Sequence, residues 1–404
     1  MRIAIISTLP PQETGESPYA ARLIESLVKN NGVQIVAVTG KDADALDSHS
    51  GRIQTQRIWD SRSLLYPITL AKCIKEQRVD IVHVQFGPYG KVYGGLFGEI
   101  MLFLLILLRA MGIKTTITLH STWMPEQVSE RVKGYGVLSN LLPFAQAFFR
   151  LYMRLLDWGT STIQLSTVRM NSALRTAFRR NYEFIDPEKI LEIPHPCAQL
   201  GKPLEQSIAA QKLGLEGKTV VLMFGFIRRG KGFDIALHAI SKVRESRPET
   251  LLLIAGRPQG FDSEEYMQEL RGICQEFNLS DNVRFDARFI PEEEISDYFA
   301  ASSILLIPYT ESVGASGPIH NYAGYGVPIL ASDVGYHNRD SVGGNLFLFK
   351  AGSADDLSRK LTEILDNLEE TRLVSRKQVE YTRKETWDLA GERTLSHYRK
   401  TLKT

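Results

Sequence analysis

The sequence predicts an α/β protein of two doubly wound domains, on three observations. At 404 residues the chain exceeds the roughly 300 residues at which a single core stops growing. Short apolar runs alternate with longer helical stretches twice over, once on each side of Pro194-His195-Pro196. Repeated alternation of this kind builds parallel sheets covered by helices. The composition is that of an ordinary globular chain, 43% hydrophobic and 23% charged, which argues against disorder on a large scale.

In chain order, Arg2–Ser7 reads as the first strand and Tyr19–Lys29 as a helix by its spacing. Val33–Val38 is a β-branched run. Ile81–Val84 and Thr115–Leu119 are short apolar runs ending at polar residues, as parallel strands do. The longest apolar run, Ile100–Leu108, is closed by Glu99 and Arg109. A membrane span needs about 20 apolar residues, so this run reads as a buried helix. Phe144–Leu156 is helical and very apolar, and Thr162–Leu165 and Ile190–Ile193 complete the first half.

Pro194-His195-Pro196 cannot continue a strand or easily start a helix, which sets a boundary after residue 195. Beyond it, Thr219–Phe224, Thr250–Ala255, Asn282–Phe285, Ser303–Ile307 and Pro328–Ala331 read as strands. Phe233–Arg244, Glu265–Phe277 and Pro291–Ala300 read as helices between them. The expected organisation is a first domain over 1–195, a second over 196–382, and a helical tail over 383–404 packing back toward the first. Ligands of doubly wound sheets bind outside the carboxyl ends of the strands, so a cleft between the halves is expected.

A net charge of +2 argues against a dedicated nucleic-acid binder. The three cysteines, Cys73, Cys197 and Cys274, form no CxxC and no disulfide framework, which fits a reducing, cytoplasmic setting. The apolar start, Met1 to Ser7, is followed at once by Pro10-Pro11 and is too short for a signal peptide. Asp42-Ala43-Asp44 is a DxD, but it lies early and amid polar loop residues, and the eight histidines show no ligand spacing. No metal and no dissociable cofactor is expected.

The most informative segment is Gly225-Phe-Ile-Arg228-Arg229-Gly230-Lys231-Gly232, between a strand and a helix. Glycines let backbone N–H groups approach phosphate oxygens, and the helix start adds positive potential. Arg228 and Lys231 can add full charges to a diphosphate. The spacing approaches a P-loop, but Gly232 stands where a magnesium-holding Ser or Thr would be. A second strand-to-helix segment, Pro308 to Pro318, carries Glu311 and then the small residues Gly314, Ala315, Ser316 and Gly317. It can form a second anion cradle.

These two segments, followed by Ala323-Gly-Tyr-Gly-Val-Pro-Ile-Leu-Ala-Ser332, resemble the second domain of retaining GT-B glycosyltransferases of family 4. Pro-His-Pro at the boundary and the Trp387 region also look similar. The resemblance implies a GT-B fold of two Rossmann-like domains facing each other across a cleft. It implies transfer of a hexose-type sugar from a nucleotide-diphosphate donor, UDP- or GDP-linked, to a glycan, lipid-linked or small-molecule acceptor. Arg228 and Lys231 would hold the pyrophosphate, and the backbone around Arg288 and Phe289 would face the nucleobase. Gly314 to Gly317 would cradle phosphate and sugar. The family's pair of glutamates seven residues apart is altered: Asn321 stands at the second position, and Glu311 lies two residues before the first. An amide can still bond a ribose hydroxyl, and Glu311 would reach the sugar. His120, ending the Thr115–Leu119 strand, would face the donor sugar, and Gly15 occupies the place of the family's diphosphate-facing loop. His83 and Gln85 read as structural.

Phe144–Leu156 reads as a packed helix with two solvated arginines, with peripheral membrane contact through 144–156 as the alternative. A dinucleotide-dependent oxidoreductase would show G-x-G-x-x-G after the first strand; Leu9 to Gly15 does not. The remaining alternative is a non-catalytic GT-B-shaped binding or scaffold protein.

Overall fold

The computed structural model describes residues 1–12, 14–46, 51–87, 90–95, 97–121, 124–125, 128, 142–165, 172–200, 204–260, 262–310, 316–334 and 341–403. The chain divides into two compact units, one from Met1–His195 with Trp387–Thr404, the other from Pro196–Ser312 with Ser316–Thr386.

In the first unit the strands are β1 (Arg2–Ile6), β2 (Gln34–Gly40), β3 (Ile53–Trp59), β4 (Ile81–Phe86), β5 (Thr115–Leu119), β6 (Thr162–Leu165) and β7 (Ile190–Glu192). They form one parallel sheet in the order β3-β2-β1-β4-β5-β6-β7. Successive side chains of a strand point to opposite faces, and both faces here are apolar. Ala4, Ile6, Val36, Val38, Val82 and Val84 enter one core. Ile3, Ile5, Ile35, Ala37 and Ile81 enter the other. The helices are α1 (Glu16–Val28), α2 (Tyr66–Gln77), α3 (Gly90–Tyr93), α4 (Ile100–Ala110), α5 (Leu142–Gly159) and α6 (Ser172–Asn181).

The second unit has β8 (Thr219–Phe224), β9 (Thr250–Ala255), β10 (Val283–Asp286), β11 (Ile304–Ile307), β12 (Ile329–Ser332) and β13 (Phe347–Phe349). Their order, β10-β9-β8-β11-β12-β13, is again doubly wound, with the strand order reversing between β8 and β11. Its helices are α7 (Gln206–Leu213), α8 (Phe233–Ser246), α9 (Ser263–Glu276), α10 (Glu292–Ala300), α11 (Gly317–Tyr322), α12 (Ala354–Asp366) and α13 (Leu368–Lys384). Pro291 is the residue before α10 and lies outside the helix, where its missing N–H breaks no helical bond.

The chain leaves the second unit after α13, held there by Gln199 Nε2 donating to Thr382 O at 2.7 Å and Cys197 N to Glu385 O at 2.7 Å. The last helix, α14 (Trp387–Thr401), belongs to the first unit. Its Leu395 and Tyr398 enter the core that α1 covers. The helices approach so closely that a Cβ on Gly391 would lie 2.0 Å from Ser26 Oγ. Ser26 Oγ donates to Trp387 O at 2.7 Å, and Lys29 pairs with Asp388 at 2.6 Å.

Two strands escape the sequence reading. In β3, Ile-Gln-Thr-Gln-Arg-Ile-Trp, only Ile53 and Trp59 are buried, because it is an edge strand. β13 has three residues, too few for a period.

Candidate donor-binding site

The site is built at the carboxyl ends of β8 and β11. β8 runs out into Gly225, whose N–H donates to Ala255 O at 3.0 Å. A Cβ on Gly256 would lie 2.0 Å from Gly225 O, at a φ of +149°, so the two strand ends touch backbone to backbone. Ile227 N donates to Arg257 O at 3.0 Å and Gln259 N to Ile227 O at 2.9 Å. The turn that follows is fixed to the neighbouring strand end. Thr310 N donates to Gly230 O at 3.1 Å. Gly232, the residue before α8, has φ +72°, and a Cβ there would lie 1.9 Å from Pro308 O. Only glycine satisfies both the left-handed backbone and that contact.

This clamp delivers Lys231 to the loop after β11. Its Nζ sits 3.5 Å from the centre of the Tyr309 ring. Burial first, and then the nearby Arg228 guanidinium, hold its ammonium well below the ordinary lysine range. The Tyr309 phenol is pushed up to about 12 by burial, opposed by the nearby Ser316 hydroxyl and by Arg228. Ser316 is the residue before α11, and Asn321 lies one turn along it. Asn321 Nδ2 is 3.8 Å from where a Cβ on Gly317 would be. Arg228, Lys231, Ser316, Gly317 and Asn321 thus lie at the carboxyl ends of β8 and β11, near Tyr309, which sequence reasoning did not single out. Glu311, Gly314 and Ala315 lie outside the described residues.

Adjacent Arg229 has another task. It pairs with Asp262 at 2.7 Å and Glu269 at 2.5 Å, over the Tyr266 ring at 4.7 Å. Arg288 and Phe289 follow β10, separated from β8 by β9. The Arg288 guanidinium is engaged by Asp286 at 3.0 Å, Glu294, and the Tyr298 hydroxyl at 3.0 Å. Phe289 is 60% exposed, an open aromatic face at a strand end.

Gly15 and His120 stand in the first unit. Gly15 precedes α1 with φ −65°, and the position of a Cβ is open. The carboxyl of Glu16, 2% exposed, occupies that helix start, its pKa raised by burial. His120 continues β5, its N–H donating to Phe86 O at 2.8 Å. Its Nε2 bonds Gln85 Oε1 at 2.7 Å, and its ring meets Tyr19 edge-on at 4.7 Å. Burial first, then His195 and His83, push it down to about 3, so this imidazole is neutral. His83 and Gln85 are fully buried. Asp42 and Asp44 are exposed on either side of buried Ala43. Among the described residues no group of three or more His, Cys, Asp or Glu could hold a metal ion.

Residues 205–384 match the family model for glycosyl transferases group 1. D-inositol 3-phosphate glycosyltransferase of Segniliparus rotundus is 26% identical over 256 residues, 62% of this chain and 56% of that protein. Lipopolysaccharide core biosynthesis mannosyltransferase LpsB of Rhizobium meliloti is 25% identical over 190 residues, 47% of this chain and 53% of that one. The chain thus spans about half the length of these curated relatives. The crystal structure of Anabaena Alr3699/HepE in complex with UDP superposes with a TM-score of 0.75 at 16% identity, covering 99% of this chain and 100% of that one. The same protein with UDP-glucose gives 0.73. The chain therefore has the two-domain GT-B fold, and its residues 205–384 are similar to the glycosyl transferases group 1 family.

Proposed function

We propose that this chain is a retaining glycosyltransferase that takes a hexose-type sugar from a UDP- or GDP-linked donor. The observation that carries the reading is the Lys231 ammonium, partly desolvated over Tyr309 and next to exposed Arg228. A cation held so, at a helix start and at the strand-order reversal, is matched by a diphosphate. The HepE complexes with UDP and UDP-glucose support the class of donor.

In this reading the bond between the sugar's anomeric carbon and the diphosphate breaks through an oxocarbenium-like state. The acceptor hydroxyl adds on the same face and gives its proton to the departing diphosphate oxygen. Arg228, Lys231 and the α8 start stabilise the departing diphosphate without a metal. Asn321 bonds a ribose hydroxyl, Phe289 and the backbone beside Arg288 meet the base, and Glu311 and His120 act at the sugar.

We further propose that the first unit docks on anionic membrane. α5 buries Phe149, Tyr152, Met153 and Leu156, yet Phe144, Phe148, Leu151 and Trp158 are exposed at 71%, 42%, 54% and 48%. Exposed Arg150 and Arg154 flank that stripe, and apolar side chains beside cations suit an anionic lipid surface. Among the described residues no helix is long and apolar enough to cross a membrane. A lipid-linked acceptor would fit this surface.

The test of the donor site is calorimetry against UDP-, GDP- and ADP-sugars without added metal, alongside Arg228→Ala/Lys231→Ala. Selective binding of one donor, lost in the variant, is expected. A folded protein that binds none of them would refute the reading in favour of a scaffold.

A further inference from the structure

A chain of buried polar groups runs from His120 to the last helix of the first unit. His120 Nε2 meets Gln85 Oε1 at 2.7 Å, and Gln85 Nε2 meets His83 Nε2 at 3.1 Å. His83 Nε2 also meets Thr118 Oγ1 at 2.6 Å, and His83 Nδ1 bonds the Tyr398 hydroxyl on α14. Gln85, His83, Thr118 and Tyr398 are all 0% exposed. Apolar packing alone would seat α14; buried polar groups are retained only with partners, and once satisfied they specify one arrangement.

The arrangement has a polarity. A primary amide presents a carbonyl at one end and N–H groups at the other. With its oxygen on His120, Gln85 requires a proton on His120 Nε2. In this orientation Gln85 donates to His83 Nε2, as the Thr118 hydroxyl does at 2.6 Å, which puts the His83 proton on Nδ1, donated to the Tyr398 oxygen. Each ring's proton position is tied to the other's.

We propose that Tyr398, through His83 and Gln85, is a positioning residue that sets which nitrogen of His120 carries its proton. Removing the Tyr398 oxygen leaves His83 Nδ1–H buried without an acceptor. The inexpensive response is for the His83 proton to move to Nε2, for Gln85 to turn over, and for His120 to take its proton on Nδ1. The His120 nitrogen that Gln85 does not hold then changes from acceptor to donor. For activity this rests on the reading that His120 acts at the donor sugar; the proton positions do not.

The experiment is histidine ring 15N NMR on the full chain, with His120 assigned by His120→Ala. Wild type is expected to show His120 protonated at Nε2, and folded Tyr398→Phe to show it at Nδ1. Transfer kcat should fall about tenfold or more in Tyr398→Phe, as for other groups acting through a held imidazole, with donor KM unchanged. In a His120→Ala background Tyr398→Phe should have no further effect. His120 protonated at Nδ1 in wild type, or unchanged in folded Tyr398→Phe, would overturn the proposal, and the wild-type spectrum decides even where the variant does not fold. Expected spectra from a protein with no transfer to any acceptor would support the relay and retire the transferase reading instead.

Discussion

Lys231→Met isolates the central claim about the donor site. In the free protein the ammonium gains about 0.5–2 kcal/mol from the Tyr309 face, against desolvation and the Arg228 charge, which together lower its pKa. A diphosphate reverses that balance. One charge-assisted hydrogen bond is worth about 1.5–3 kcal/mol, or roughly 10- to 150-fold in Kd at about 1.4 kcal/mol per decade. The same interaction favours the charged form and lifts the lysine pKa by about one to two units.

Three results follow from that arithmetic. Lys231→Met should weaken donor binding roughly 10- to 150-fold. Donor binding to wild type below the ordinary lysine range should take up protons, seen as calorimetric enthalpy that varies with the buffer's ionisation heat, and the variant should lose this. The donor-free variant should be at least as heat-stable as wild type, since it sheds a desolvated charge. The stability sign agrees: a lysine depressed on folding leaves the unfolded chain with more bound protons, so stability attributable to it rises as pH climbs toward 10.5. A variant that loses stability while binding donor normally would refute the reasoning, because Lys231 would then be a packing residue.

Gly232→Ala should destabilise the second unit by about 2–4 kcal/mol, from a 1.9 Å clash with Pro308 O at φ +72°, read as a fall in thermal midpoint. Arg229→Ala should change stability by less than about 1 kcal/mol, as exposed pairs do, and leave donor affinity unchanged in calorimetry, unlike Arg228→Ala. Phe148→Asp with Leu151→Asp should abolish co-sedimentation with phosphatidylserine vesicles while leaving donor binding intact; unchanged sedimentation would exclude the α5 surface. His83, held down to about 3 by burial and then by His397, stays neutral while the unfolded chain protonates below about 6.5. Stability should therefore fall as pH drops from 6.5 toward 3, by at most about 1.4 kcal/mol per pH unit for this residue, and His83→Gln should flatten acid unfolding curves.

What was legible in the sequence depended on whether a signal is local. Strands buried on both faces are mostly apolar, so β1, β8 and β9 announce themselves, whereas β3 carries four polar residues in succession, Gln54, Thr55, Gln56 and Arg57. The glycine-rich basic turn was equally plain, because glycine and charge between a strand and a helix have few other uses. Its division of labour was not. Arg228 and Arg229 are equivalent as letters, and only the packing of α9 assigns Arg229 to Asp262 and Glu269. On α5 the 3.6-residue period revealed apolarity, but the structure separates a buried side from an exposed stripe.

The least legible features are pairings across crossovers. Lys231 reaches Tyr309 because β8 and β11 are neighbours, and His83 reaches Tyr398 across 315 residues. Nothing in a local pattern encodes either, yet both concern the chemistry most directly. A doubly wound sheet explains why: its strand-order reversal opens a crevice between elements far apart in sequence. Groups that tune one another there are distant along the chain by construction. The double substitution of Tyr398→Phe into Lys231→Met tests that separation. The two residues lie in different units, so their effects on transfer should multiply; strong non-multiplicative coupling would mean that the state of His120 and the grip on the diphosphate are not independent.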